Sequence, residues 1–150
     1  VAYTDKLRST RVYIAIGNGA DPEVFLPLCG ITSKGLTQTR ATDDTTDWDC
    51  EDPDATPIIV RDTGAADWSI NGSGLLHRPL LATVQDAFDS ATPLTFRFVY
   101  DEPTTNQVID GYYEGPGIVT EFTNTAENGQ YVNVSLTITG AGKLNFVANT

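Results

Sequence analysis

At 150 residues the chain is sized for one domain, 1–150, large enough to bury roughly 70% of the surface its unfolded form exposes. A hydrophobic content of 40% excludes wholesale disorder. A net charge of −11, with only nine Lys and Arg in all, excludes the cationic patch on which nucleic-acid binding rests.

The first residues, VAYTDKLRSTRVYIAIG, turn polar within four positions and do not read as a signal peptide. Free thiols are therefore the default expectation, with a Cys29–Cys50 disulfide as the lesser alternative. No apolar run approaches the ~20 residues that span a bilayer, so no membrane partner is expected. Short runs that alternate apolar with polar residues then follow, punctuated by Gly, Pro and Asn, which is the pattern of a mainly β domain. RVYIAIG (11–17) and VFLPLCGI (24–31) read as early strands, with Pro27 demoting the second to an edge or a bulge. TPIIVRDTGAADWSING (56–72) reads as a strand interrupted near Gly64.

One segment has helical period instead. In LLHRPLLATVQDAFDSATP (75–93), Leu80, Leu81, Val84, Ala87 and Phe88 form an apolar stripe, Pro79 suits a first helical turn, and Ser90–Pro93 supplies the stop. This predicts one flanking α-helix at about 79–90. Two clear strands follow: LTFRFVYD (94–101), and YVNVSLTIT (131–139), where Val132, Val134, Leu136 and Ile138 alternate with Asn and hydroxyl residues.

The long piece at about 39–56 reads as an extended acidic loop. Asp43–Asp54, DDTTDWDCEDPD, holds seven carboxylates in twelve residues, and no Lys or Arg occurs between Arg40 and Arg61. Without those seven acids the net charge would be −4 instead of −11, so the acidity is largely one local feature. Trp48 within the run is a candidate anchor for docking, since buried aromatics carry much of an interface's energy. The plain alternative has it tucked back on its own domain.

The motifs of chemistry fail one by one. His77 is the single histidine, beside Arg78-Pro79 at a helix entry, and reads as structural. GxSxG does not occur. Gly142-Lys143 lacks both the upstream glycine and the following Ser or Thr of a phosphate-binding loop, and Gly17-Asn18-Gly19 lacks the third glycine of a dinucleotide fingerprint. Asp47, Asp49 and Glu51 begin like a calcium loop, but Asp52 and Ile58 stand where such a loop needs glycine and glutamate. No catalytic, cofactor-binding or metal-ligating set is expected, and no enzyme activity.

Several segments in order resemble the major tail tube proteins of long-tailed, non-contractile phages and of related gene transfer agents. They are DWSINGSGLL (67–76), the helix ending QDAFDSA (85–91), LTFRFVYD, GYYEGPGIVTEF (111–122), ENGQYVNVSLTITG (127–140) and the closing GAGKLNF (140–146). The early CGITSKGLTQTRATDDTTDWDCED is similar to that family's first strands, with a long acidic insert. The resemblance implies a β-sandwich or barrel with one helix. It further implies hexameric rings stacked into a virion tail tube, assembled in the host cytoplasm, through which DNA passes without specific binding. Implied partners are further copies of the chain and tape-measure, distal tail and tail-terminator proteins. The inter-subunit contact candidates are Asp43, Asp44, Asp47, Trp48, Asp49, Glu51, Asp52 and Asp54 of the loop. Lys6, Arg8 and Arg11, in and beside an N-terminal arm (1–10), are their cationic counterparts. Competing readings are a capsid-decorating or tail-terminating ring protein, and a calcium- or carbohydrate-binding β-sandwich module.

Overall fold

A computed structural model describes residues 12–17, 25–28, 30–102 and 107–148, with backbone alone for 101–102 and 107–110. The N-terminal arm with Lys6 and Arg8, together with Arg11 and Cys29, lies outside the described residues.

Among the described residues, eight strands and one helix follow each other as β1 (Val12–Gly17), β2 (Phe25–Pro27), β3 (Ile31–Asp47), β4 (Ile58–Leu75), α1 (Arg78–Asp89), β5 (Leu94–Glu102), β6 (Gln107–Thr125), β7 (Asn133–Gly140) and β8 (Asn145–Ala148). All pairings are antiparallel, in the order β2-β1-β5-β6-β7-β4-β3, and β8 pairs with β6. β7 and β8 share one edge of β6: β7 pairs along Gly117–Thr125 and β8 along Gly111–Glu114.

Period-two alternation sends one face of this sheet inward. Ile14 and Ile16 of β1, Phe96 and Phe98 of β5, Trp68 and Ile70 of β4, and Val134, Leu136 and Ile138 of β7 form the core. The two ends of the strand order meet across it. A Cβ on Gly72 of β4 would lie 3.5 Å from the Ile14 side chain, and Lys34 Nζ of β3 donates to the Val12 carbonyl of β1. Burial holds the Lys34 ammonium below the ordinary lysine range. Yet among the described residues no ladder joins β1 to β3, so the sheet curls over its core in a sandwich-like form and is not closed into a barrel. Gly30 makes the turn into β3 at φ 92°, where a Cβ would come within 2.5 Å of the Leu75 carbonyl oxygen.

α1 covers the core, packed chiefly on β6. Pro79 occupies its first turn and Ser90 caps its end, its N–H donating to the Ala87 carbonyl at 3.4 Å. The apolar stripe divides: Leu80, Val84 and Ala87 are buried, while Leu81 and Phe88 remain exposed.

The stretch expected to be an irregular loop at 39–56 is a correction. Its first part, through Asp47, is regular strand, paired residue by residue with β4 from Ile58 upward. Loop conformation is confined to the tip, 48–57. The interruption expected near Gly64 is a register shift inside a continuous β4, where Arg40 pairs with Ala66 but Thr42 pairs with Thr63.

Candidate assembly surface

β7 pairs with β4 only from Ser69 to Leu75. Beyond Ser69, β4 pairs with β3 alone among the described residues, and the two strands run on to Asp47 and Ile58 as a two-stranded ribbon. Ten residues at ~3.3 Å each carry it roughly 33 Å from the sheet. An isolated two-stranded ribbon is marginally stable in water. This one carries an added burden, because Asp43 sits directly opposite Asp62.

The root of the arm is locked. Trp68, buried at the last position before the sheet proper, lies in a slot of three glycines. Added Cβ atoms on Gly115, Gly117 and Gly140 would stand 3.1, 3.1 and 2.5 Å from its ring. Trp68 Nε1 donates to the Gly142 carbonyl at 2.9 Å, and the Ala141 N–H donates to the Pro116 carbonyl at 2.8 Å. The closing GAGKLNF segment is thus what clamps the arm's base. Beside it opens a groove of about 620 Å³ whose walls include Gln38, Arg40, Ala66, Trp68, Lys143 and Leu144.

The acidic run resolves into parts with different duties. Asp43, Asp44 and Asp47 stand on the ribbon. Asp44 pairs with Arg61 at 3.3 Å, an exposed bridge that contributes about 0–1 kcal/mol. Asp49 and Asp52 shape the turn: Asp49 Oδ1 accepts from the Glu51 and Asp52 N–H groups at 2.9 and 3.3 Å, and Asp52 Oδ1 from Asp54 N–H at 3.3 Å. Glu51 and Asp54 are exposed at the tip, as is Cys50, a free thiol. Among the described residues no cluster of His, Cys, Asp and Glu is placed to hold a metal ion.

Trp48 is 63% exposed and does not tuck back on the domain. Its surroundings hold what the sequence reading missed. Ile58, Ile59 and Val60, read as an ordinary strand start, are 62%, 57% and 42% exposed on the same ribbon end. An unbroken apolar run reads equally well as a buried strand, so the sequence carried no signal that these three stay exposed. The outcome is an apolar tip on an acidic stalk.

The sheet face opposite the core is different again. Ser33 and Thr37 of β3, Ser69, Asn71 and Ser73 of β4, Ser135, Thr137 and Thr139 of β7, and Thr123 and Thr125 of β6 share it, as the registers require. Thr137 Oγ1 donates to Asn71 Oδ1 at 3.3 Å, and the Thr120 and Thr139 hydroxyls meet at 3.0 Å. Glu121, paired with Thr137, adds a single charge to this carpet. No helix among the described residues is long and apolar enough to cross a membrane.

Comparison with curated protein sequences gives no match. Among solved structures, a chain from the tail of an empty gene transfer agent particle, refined with C6 symmetry, aligns at 18% identity and a TM-score of 0.70, over 95% of this chain and 100% of its own. A chain of the sheath-tube complex of an extracellular contractile injection system aligns at 8% identity and 0.63, over 96% and 93%. The tail tube of SPP1 aligns at 10% and 0.59, over 97% and 82%. At these identities the likenesses establish a shared fold. Residues 6–146 match the family model for the phage tail tube protein. A sheet that ends in a long, unpartnered, apolar-tipped arm fits a protein that builds with copies of itself, and the chain belongs to the phage tail tube protein family as a structural protein of the virion tail.

Proposed function

We propose that copies of this chain close into six-membered rings, that the rings stack into a hollow tube, and that DNA slides through the tube without being bound. The observation that carries this reading is the arm: a ribbon of marginal intrinsic stability, apolar at its tip, with no other strand paired to it among the described residues. Burial against a second copy would stabilise such a feature. The C6 symmetry of the structurally similar gene transfer agent tail supports the ring number.

Asp43, Asp44, Asp47, Trp48, Asp49, Glu51, Asp52 and Asp54 then belong to an inter-subunit contact, and Lys6, Arg8 and Arg11 of a neighbour offer opposite charge. A ring of six would carry a formal −66 at −11 per copy, so charge matching of this kind offsets self-repulsion. The hydroxyl- and amide-covered sheet face is the candidate lumen wall. Lacking cations, it gives phosphates no partner and leaves the polymer free to slide. The role is architectural, and tape-measure, distal tail and tail-terminator proteins would set the tube's length and ends.

Negative-stain electron microscopy of the concentrated protein tests the reading. Long hollow tubes with sixfold rings are expected. Isolated rings that never stack would favour a terminating role, and monomers under every condition would overturn the proposal.

A further inference from the structure

The two faces of the arm are chemically unlike. Register places Asp43 opposite Asp62, Thr45 opposite Val60 and Asp47 opposite Ile58, so these six side chains share one face. On the other face the one carboxylate, Asp44, is neutralised by Arg61. The first face thus presents three carboxylates, none in an ion pair among the described residues, around the exposed Ile58 and Val60.

A surface of matching character lies at the arm's root. Arg40 and Lys143 are exposed, form no ion pair among the described residues, and line the same groove. Leu144 and Ala66 add apolar wall. The groove's own carboxylate, Asp67, turns Oδ1 onto the Trp68 N–H at 2.8 Å.

Resting on the tube reading above, we propose that the Asp43–Asp47–Asp62 face of one copy's arm seats in the Arg40–Lys143 groove of a second copy. Ile58 and Val60 pack on the groove's apolar wall, and the carboxylates meet the two cations. The arm cannot fill its own groove. Eight residues of extended ribbon separate Ala66 from Ile58, roughly 26 Å of strand with a single bulge near its root. Residues 1–11, with Lys6, Arg8 and Arg11 against Asp5 alone, carry the wrong sign for it. A tip-to-root contact joins unlike surfaces, and where the second copy's own tip engages a third it propagates from copy to copy into rings or stacks.

Charge exchange tests the contact. Arg40→Glu with Lys143→Glu, and separately Asp43→Lys with Asp47→Lys, should each raise the concentration needed for assembly by at least about tenfold, read by sedimentation and microscopy. The chain carrying all four substitutions should assemble again. All four side chains are exposed, and circular dichroism of each variant confirms that it folds. Undiminished tubes from either folded double variant, or no recovery in the fourfold variant, would overturn this contact and leave the tube reading standing. A wild-type chain that never assembles would overturn both.

Discussion

Trp68 joins three parts of the chain that are far apart in sequence. Its indole fills the space that Gly115, Gly117 and Gly140 leave by lacking side chains, and its N–H reaches the Gly142 carbonyl. The glycines are required by contact, not by turn geometry. Truncating Trp68→Ala should cost about 3–5 kcal/mol, on the order of 10 °C in melting midpoint. Gly140→Ala should also destabilise, since its new methyl would stand 2.5 Å from Nε1 with the ring walled in by the other two glycines. Thermal melts of the two variants check both expectations. An unchanged midpoint for Gly140→Ala would mean the slot is looser than drawn.

Among elements, the helix shows how far sequence reaches. The expected span of 79–90 and the observed Arg78–Asp89 differ by one residue at each end, because Pro79 and Ser90 mark the boundaries chemically. The apolar stripe could not say which of its members face the sheet. Leu80 is 4% exposed and Leu81 44%. Leu80→Ala should therefore cost about 2–5 kcal/mol, whereas Leu81→Ala should stay within about 0.5 kcal/mol in denaturant unfolding. The strands at 94–101 and 131–139 were legible for a similar reason, as one polar face and one core face print a period of two.

The arm was legible as a feature but not as a strand. A ribbon exposed on both faces needs no alternation, and Thr-Asp-Asp-Thr-Thr-Asp offers none, so β3 beyond Thr39 resembled a loop. Conversely Ile58-Ile59-Val60 resembled a core strand because the sequence does not show which apolar residues are left for a partner. Trp48→Ser with Ile59→Ser should leave monomer stability within about 0.5 kcal/mol, since both side chains are exposed, while abolishing assembly. Equilibrium unfolding and sedimentation of the same sample separate the two effects.

At the scale of the molecule, charge and function divide the chain between them. Nine of its twenty carboxylates lie between Thr39 and Trp68, against two arginines there, while the polar sheet face between β3 and β6 is close to neutral. Acidity is spent on the arm, and the surface suited to a conduit neither attracts nor strongly repels a polyanion. Purified protein should accordingly fail to retard duplex DNA in a gel at about 0.15 M salt. On this reading the arm is what makes a folded domain into a tube. Electron microscopy of the full chain beside a variant in which residues 41–65 are replaced by a two-residue Asn-Gly turn, which keeps Arg40 opposite Ala66, tests this. Hollow tubes are expected from the first and folded, unassembled subunits from the second. Tubes of equal length and abundance from both would show that the arm is dispensable for assembly.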